Sequence, residues 1–444
     1  MSYYPHSDHE INRALKVIGK KDLESLTDPI PSKFKSKVIN IGSGKSEIET
    51  MKYFEEIASK NRRYKSIFMG AGAYNHYIPA AVDEIAGRQE FYTAYTPYQA
   101  EISQGTLQAI FEYQTYICAL TGMDASNASM YDGATACCEA ASLSANHTRA
   151  KKILVDKYIH PDYLKTLYTY MGALGVSIDI YDNDGYTFDL EYFKSVWNKD
   201  YACFIQSSPN FLGSIIDYSE AAKIVHNDRR LVIQALWEIL SLTVIKKPSD
   251  FGADIVVGEA QSLGIPLSFG GPYLGFLAAT KEYFRKMPGR IVGQTKDSAG
   301  AIVYTLTLTA REQHIRRELA SSNICSNHGL CAFRAGVYMS ILGKSGMRSC
   351  GLRNAQMSRL ARDKISKLKN FAIVENQIFF NEFAVKTDIN YDKISKALEA
   401  NDILSFYPLG KHYDEMKGYY LVSATEMNTV EEIDNLVKTL ESIQ

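Results

Sequence analysis

Lys152-Ile-Leu-Val-Asp156, Val176-Ser-Ile-Asp-Ile-Tyr181, Ala202-Cys-Phe-Ile-Gln206, Leu231-Val-Ile-Gln-Ala235 and Asp254-Ile-Val-Val257 are short apolar runs rich in β-branched residues. Amphipathic stretches at Asp162 to Ala173, Leu190 to Asn198 and Tyr218 to Asn227 lie between them. Near-continuous apolar strands alternating with helices predict a mostly parallel sheet covered on both faces, because a strand with one wet face would alternate polar and apolar side chains. The fold class is therefore α/β. Toward the N-terminus the pattern is helical from Ile11 to about Arg62, with Leu15, Val17, Ile18, Leu23 and Leu26 apolar before the break Asp28-Pro29-Ile30-Pro31. After Leu319 a helical stretch to about Leu342 leads through Gly343, Gly346 and Gly351 into a second helix, Asn354 to Lys369. A strand near Ile378 to Val385, a helix near Tyr391 to Ala400 and a strand at Tyr419 to Ser423 follow. The last helix opens on a capping box, Thr429 and Glu432, and carries the apolar stripe Val430, Ile433, Leu436, Val437 and Leu440. The expected organisation is a helical arm over 1–62, a large α/β domain over 63–320 and a small α+β domain over 321–444.

Composition bounds the function. In 444 residues, 46% hydrophobic and 22% charged side chains are ordinary globular usage, which excludes a disordered or fibrous chain. The 49 basic and 50 acidic residues leave a net charge of -1, so no global field favours nucleic acid or an anionic membrane. Seven cysteines at irregular spacing read as reduced thiols of a cytoplasmic protein. The first residues are polar, and the most apolar stretch, Pro266 to Ala279, is interrupted by glycines and a second proline. Neither a signal peptide nor a membrane span is expected.

Several segments have the residue types for chemistry. Tyr131-Asp-Gly-Ala-Thr135 runs into a helical stretch of small residues, Ala136 to Ala145. Small residues at a helix start let backbone N–H groups approach an anion, and the helix dipole favours negative charge there, so Gly133, Ala134 and Thr135 suit a phosphate cradle. A helix start capped by Asp132 or Thr135 and buried against a neighbour explains the same residues. Met69-Gly-Ala-Gly-Ala-Tyr-Asn75 lacks the third glycine and the βαβ surroundings of a dinucleotide loop. Cys325, His328 and Cys331 fan over about 120° of a helix with no fourth ligand evident, so core thiols and a helix histidine are expected rather than a metal. Tyr92, Tyr95 and Tyr98, with Pro97, Gln99 and Glu101, form a segment too broken for an ordinary helix, which either packs or carries rings and amides into a cleft or a partner. Arg311-Glu-Gln-His-Ile-Arg-Arg-Glu318 is a solvated charged face or an arginine clamp for an anion.

Taken together, Gly70 to Pro79, Tyr95 to Gly105, Gly258 to Gly264, Phe269-Gly-Gly-Pro272, Pro288 to Gly293 and Arg311 to Arg317 resemble the P-protein family of the glycine cleavage system, in its subunit 1 (α) form of glycine dehydrogenase (decarboxylating). The resemblance implies a fold type I pyridoxal phosphate (PLP)-dependent transferase-like large domain with a mixed, mostly parallel sheet, plus a small α+β C-terminal domain. It implies decarboxylation of glycine and transfer of the aminomethyl group to the lipoyl arm of the H-protein, with PLP as electron sink. In that fold the Schiff-base lysine follows a late strand, ahead of a glycine-rich turn. Here the span from Val257 to Ser268 contains no lysine, and Gln261, whose carboxamide cannot form an imine, stands in its place. The strand at Leu231 should deliver an aspartate and instead reads Gln234-Ala-Leu-Trp-Glu238, where Glu238 is one methylene longer or belongs to the following turn. Lys151, Lys246, Lys281 and Lys286 fall at strand starts or on polar runs. Gly133, Ala134 and Thr135 keep the place of the phosphate cradle and His160 that of the ring-stacking residue, both as vestiges. The expectation is no catalytic residue and no bound PLP in this chain, a PLP-bearing subunit 2 (β) as obligate partner, and the loop with Tyr95, Tyr98, Gln99 and Glu101 reaching that partner's site. The alternatives are an autonomous PLP-dependent amino acid decarboxylase or aminotransferase, and a regulatory protein holding an anion or amino acid in the decayed pocket.

Overall fold

A computed structural model describes residues 6–36, 41–324 and 328–443. Its contacts divide the chain into two units, Met1–Arg63 and Tyr64–Gln444. In the first unit, helices Asp8–Val17 and Glu47–Ser59 each start at a reciprocal capping box, Ser7 with Glu10 and Ser46 with Glu49. Among the described residues between them, the short 3-10 turns Glu24–Thr27 and Ser32–Phe34 form, where Pro29 and Pro31 withhold the N–H groups a helix needs.

In the second unit, among the described residues, seven strands build one sheet: Ala125–Ser126 (β1), Lys152–Asp156 (β2), Ser177–Tyr181 (β3), Tyr201–Ser207 (β4), Leu231–Leu236 (β5), Ile255–Glu259 (β6) and Gly275–Ala279 (β7), in the order β3-β2-β4-β5-β6-β7-β1. Strands β2 to β6 are parallel, and β7 runs antiparallel to both β6 and β1. Successive side chains go to opposite faces. Ile153, Val155, Ile205 and Ile233 pack with helices Gly133–Thr148 and Pro161–Ala173, while Leu154, Phe204 and Val232 pack with Phe193, Ala221 and Val225 from helices Leu190–Val196 and Ser219–Asn227. Both faces are covered, which is why the strands read as unbroken apolar runs.

The C-terminal part pairs Ala372–Ile373, Glu382–Lys386, Tyr407–Pro408 and Tyr419–Ser423 in an antiparallel sheet backed by helices Tyr391–Ala400 and Val430–Glu441. Helix Gly329–Ile365 connects it to the rest. Its first half buries Ala332, Ala335 and Tyr338 against Val82, Ile117 and Leu240, and its second half buries Met357, Ala361 and Ile365 against Phe383, Ile394 and Leu436. The two halves meet at Gly343, whose φ of 59° and ψ of -179° lie outside the helical region.

The structure corrects several expected boundaries. Gly346 and Gly351 sit inside the second half of this helix, which ends at Ile365, and the strand expected near Ile378 starts at Glu382. Strand β7, helix Gln104–Thr121 and the hairpin Ile291–Lys296 with Ile302–Thr307 were not anticipated. Gly275-Phe-Leu-Ala-Ala279 contains no β-branched residue, so its propensity hides it.

Candidate functional site

Strands β2, β5 and β6 deliver their following residues to one edge of the sheet, where His160, Trp237, Glu259 and Gln261 meet the start of helix Gly133–Thr148. The helix start is already satisfied by the chain's own carboxylates. Asp132 is the cap and accepts from the Thr135 N–H at 2.7 Å. Glu259 accepts from the Gly133 N–H at 3.1 Å through one oxygen and from the Leu274 N–H at 2.6 Å through the other. The Tyr163 hydroxyl lies against Gly133 where a Cβ would be, buried and without a hydrogen-bond partner. Burial raises the Glu259 carboxyl to about 7 against backbone donors, the Leu274, Gly133 and Ala260 N–H groups, that favour its charge.

Next to the helix start, aromatic side chains pack against one another. Trp237, 3% exposed, meets His160 edge-on at 5.4 Å between centroids, Tyr163 at 5.8 Å and Phe211 at 6.3 Å. The His160 Nδ1 accepts from the Asp162 N–H at 3.1 Å, so its Nε2 carries the proton and donates to the Ala71 carbonyl at 3.1 Å. Burial keeps this imidazole below its usual pKa. Gly72, at φ 102°, runs so close that a Cβ would stand 2.6 Å from His160 Nε2. Gln261 is 2% exposed; it accepts from the Tyr74 N–H at 3.1 Å and donates to the Ile265 carbonyl at 2.7 Å. Glu382 accepts from the Ala71 N–H at 2.7 Å and from the Tyr74 hydroxyl at 3.0 Å. The Gly70 to Tyr74 segment is thus clamped over the site from three sides.

Glu238 belongs to the turn after β5, the second of its two readings. It caps the turn Ile239–Thr243 through the Leu240 N–H at 2.9 Å and accepts from His76 Nε2 at 2.9 Å. His76 Nδ1 reaches Glu426 at 2.9 Å. Two ionised carboxylates accept only, so both ring nitrogens must carry protons. Burial pulls this imidazole down, but the charge of Glu238 and the hydrogen bonds from Glu238 and Glu426 outweigh it and hold it at about 10. Asn381 and Asn354 complete the cluster, donating to Glu238 at 3.2 Å and to Glu426 at 2.8 Å. His76, Glu382, Glu426 and Trp237 carried no signal in the sequence, because the partners of each are up to several hundred positions away.

The aromatic loop is partly anchored. Tyr95 is 80% exposed, and Gln99 and Glu101 also face outward. The Tyr98 hydroxyl accepts from Arg290 at 2.8 Å, with the guanidinium 5.0 Å over the ring, and Arg290 in turn faces Glu312 at 3.5 Å. Phe91, Tyr95, Pro97, Ser129, Arg290 and Phe333 are among the residues around a cavity of about 250 Å³ under the loop. Of the cysteine and histidine set, Cys325 lies outside the described residues, and His328 Nδ1 is 2.7 Å from the Tyr273 carbonyl oxygen. No group of three His, Cys, Asp or Glu suited to a metal occurs among the described residues, and none of the described helices is long and apolar enough to cross a membrane.

A mostly parallel sheet in this strand order, with residues converging at its carboxyl edge and an α+β part at the C-terminus, is the architecture of fold type I PLP-dependent transferases. The chain belongs to the glycine cleavage system P-protein family, whose model matches residues 1–440. It is 45% identical over 448 residues to the probable glycine dehydrogenase (decarboxylating) subunit 1 of Desulfitobacterium hafniense, covering 100% of both chains. It is 44% identical over 445 residues to the protein of the same name from Moorella thermoacetica, again covering 100% of both. The crystal structure of a glycine decarboxylase (P-protein) of the glycine cleavage system, in inhibitor-bound form, superposes with a TM-score of 0.92 at 35% identity over 100% of both chains. A sphingosine-1-phosphate lyase of Burkholderia pseudomallei shares the fold alone, at TM-score 0.68 and 12% identity over 94% of each chain.

The residues at this edge do not fit a PLP of the chain's own. A phosphate at the Gly133 N–H would meet the Glu259 and Asp132 carboxylates and the Tyr163 hydroxyl, Trp237 packs edge-on against His160, and Gln261 offers no amine. The plug also has a pH signature. Glu259 and Glu382 both rise from 4.5 to about 7 on burial, so each binds a proton in the folded chain that the unfolded chain releases. Their stabilisation is complete below the unfolded value and is lost as pH rises through about 7. Urea unfolding should therefore show stability falling from about pH 5 to about pH 8, with a shallower fall in Glu259→Gln. A rise over that interval, or an unchanged slope in the variant, would show that Glu259 is ionised throughout.

Proposed function

We propose that this chain is the non-catalytic subunit 1 of a cytoplasmic two-chain glycine decarboxylase. A PLP-bearing subunit 2 carries out the decarboxylation of glycine, and the aminomethyl group passes to the lipoyl arm of the H-protein. The observation that carries this reading is the Glu259 carboxylate seated on the Gly133 N–H beside a glutamine where the lysine belongs. Family membership supports the reaction, and the carboxylates on the helix start support placing the chemistry on the other chain. Exposed apolar side chains in the first unit support a permanent partner: Val17, Phe34, Ile41, Ile48 and Phe54 are each more than half exposed, which a chain living alone in water tends to avoid. We further read 63–320 as a large α/β domain of the PLP-transferase type and 321–444 as a small α+β domain, which the central sheet and the separate antiparallel sheet support.

The test is co-expression with a homologous chain that has the lysine, followed by assay of glycine-dependent CO2 exchange for each chain alone and for the pair. The pair should be active and this chain alone inactive; activity in this chain alone would end the proposal. In the same assay, Tyr95→Ala combined with Tyr98→Ala should lower the rate of the pair at least about tenfold, the loss of roughly 1.4 kcal/mol of transition-state stabilisation. An unchanged rate and an unchanged affinity between the chains would reduce the loop to packing.

A further inference from the structure

A second cavity, of about 360 Å³, lies between the C-terminal half of helix Gly133–Thr148, the Arg285 to Pro288 segment and the Arg311 to Ser322 segment. It shares no residue with the plugged edge. Arg149, Arg285, Lys286, Arg311 and Arg316 line it, against one carboxyl, that of Glu139. Among the described residues, none of these five cations makes an ion pair with a carboxylate: Lys286 bonds to His147, and Arg311 donates Nη1 to the Met287 carbonyl. Arg311 Nε and Nη2 are covered and have no acceptor. An unpaired guanidinium donor kept from water is costly, and concentrating five like charges around one hollow adds repulsion. Lys157 shows the alternative, a cation that pairs with two carboxylates, Asp182 and Glu415. Burial lowers the Arg311 pKa to about 10, and the charge of Glu312 offsets that only in part.

We propose that this cavity is a binding site for a small phosphate-bearing ligand. Guanidinium forks match the paired oxygens of a phosphate, and several of them favour a dianion over a single carboxylate. Turning Arg311 toward the hollow would exchange two donors without partners for two hydrogen bonds to the ligand. Leu143 and Pro288 give the wall an apolar side, and the volume exceeds what orthophosphate needs, so the phosphate is the anchoring group of an organic monoester. The Glu139 carboxyl, raised to about 7 by burial, is protonated for part of the time near neutrality and then donates to the ligand.

Calorimetry on the full chain tests this, with inorganic phosphate and phenyl phosphate as probes, chloride and acetate as comparators, and ionic strength held constant. Saturable one-to-one heat is expected for both phosphates and not for acetate, with phenyl phosphate the tighter. Arg311→Gln should weaken it at least tenfold, and the exposed Arg149→Gln severalfold, which keeps the question answerable if Arg311→Gln does not fold. Lys223→Gln, a surface change of the same charge, should leave it unaltered. Three results would each overturn the site: no saturable heat, equal heat with acetate, or heat that survives unchanged in Arg149→Gln and in whatever folded Arg311→Gln can be obtained. Tighter binding of inorganic phosphate than of phenyl phosphate would overturn the monoester and leave a free phosphate site.

Discussion

His76→Ala is expected to destabilise the chain by about 3–5 kcal/mol, the cost of leaving buried carboxylates without their counter-charge. Glu238 and His76 have side chains only 2% exposed and Glu426 12%, and the imidazole is the cation between the two acids. Its loss places two like charges in one hydrogen-bonded pocket, with Asn381, Asn354 and backbone N–H groups alone to soften them. The cluster joins the segment after β5 to the turn after the last strand, so the damage should appear as loss of cooperative unfolding between the sheet and the C-terminal part. Urea denaturation measures it. Adding Glu238→Gln to His76→Ala should recover part of the loss, because one of the two stranded charges is then removed. A cost below about 1 kcal/mol, or no recovery in the double variant, would mean that the triad is solvated.

Trp237→Ala should cost a comparable amount, about 3–5 kcal/mol, from lost burial and from the cavity left behind. The indole touches His160, Tyr163 and Phe211 and is among the largest side chains at the sheet's carboxyl edge. The informative readout is the absorbance of the variant after incubation with PLP. Opening the ring space alone should not bring binding, since Glu259 still occupies the Gly133 N–H and no lysine faces the hollow. If Trp237→Ala remains folded, turns yellow and holds the colour through dialysis, then the indole is the sole obstacle and the neighbouring carboxylates have been misjudged.

Much of this molecule is legible in its sequence, for physical reasons that also explain what is hidden. Lys152–Asp156, Tyr391–Ala400 and Tyr419–Ser423 have the bounds their patterns imply, because a doubly covered strand and an amphipathic helix both write their burial into local periodicity. Gly275–Ala279 does not, having no β-branched residue and three of its five positions Gly or Ala. The absence of a lysine from Val257 to Ser268 is plain in the sequence because a single residue type decides it. The surroundings of the helix start at Gly133 are not, since Glu259, Trp237 and Tyr163 look like ordinary core side chains until the fold brings them together. Gln261 illustrates the difference: its identity excludes an imine, but only the structure shows its carboxamide tying Tyr74 to Ile265. The Arg311 segment is similar, its charge plain in the sequence and the cavity it lines visible only when the helix Gly133–Thr148 lies beside it.

The most direct measurement is borohydride reduction of the assembled two-chain complex in the presence of PLP, followed by peptide mapping of both chains. The pyridoxyl group is expected on a lysine of the partner and on none in this chain. A pyridoxyl-lysine anywhere between residues 64 and 444 would contradict the assignment of the chemistry to the other subunit.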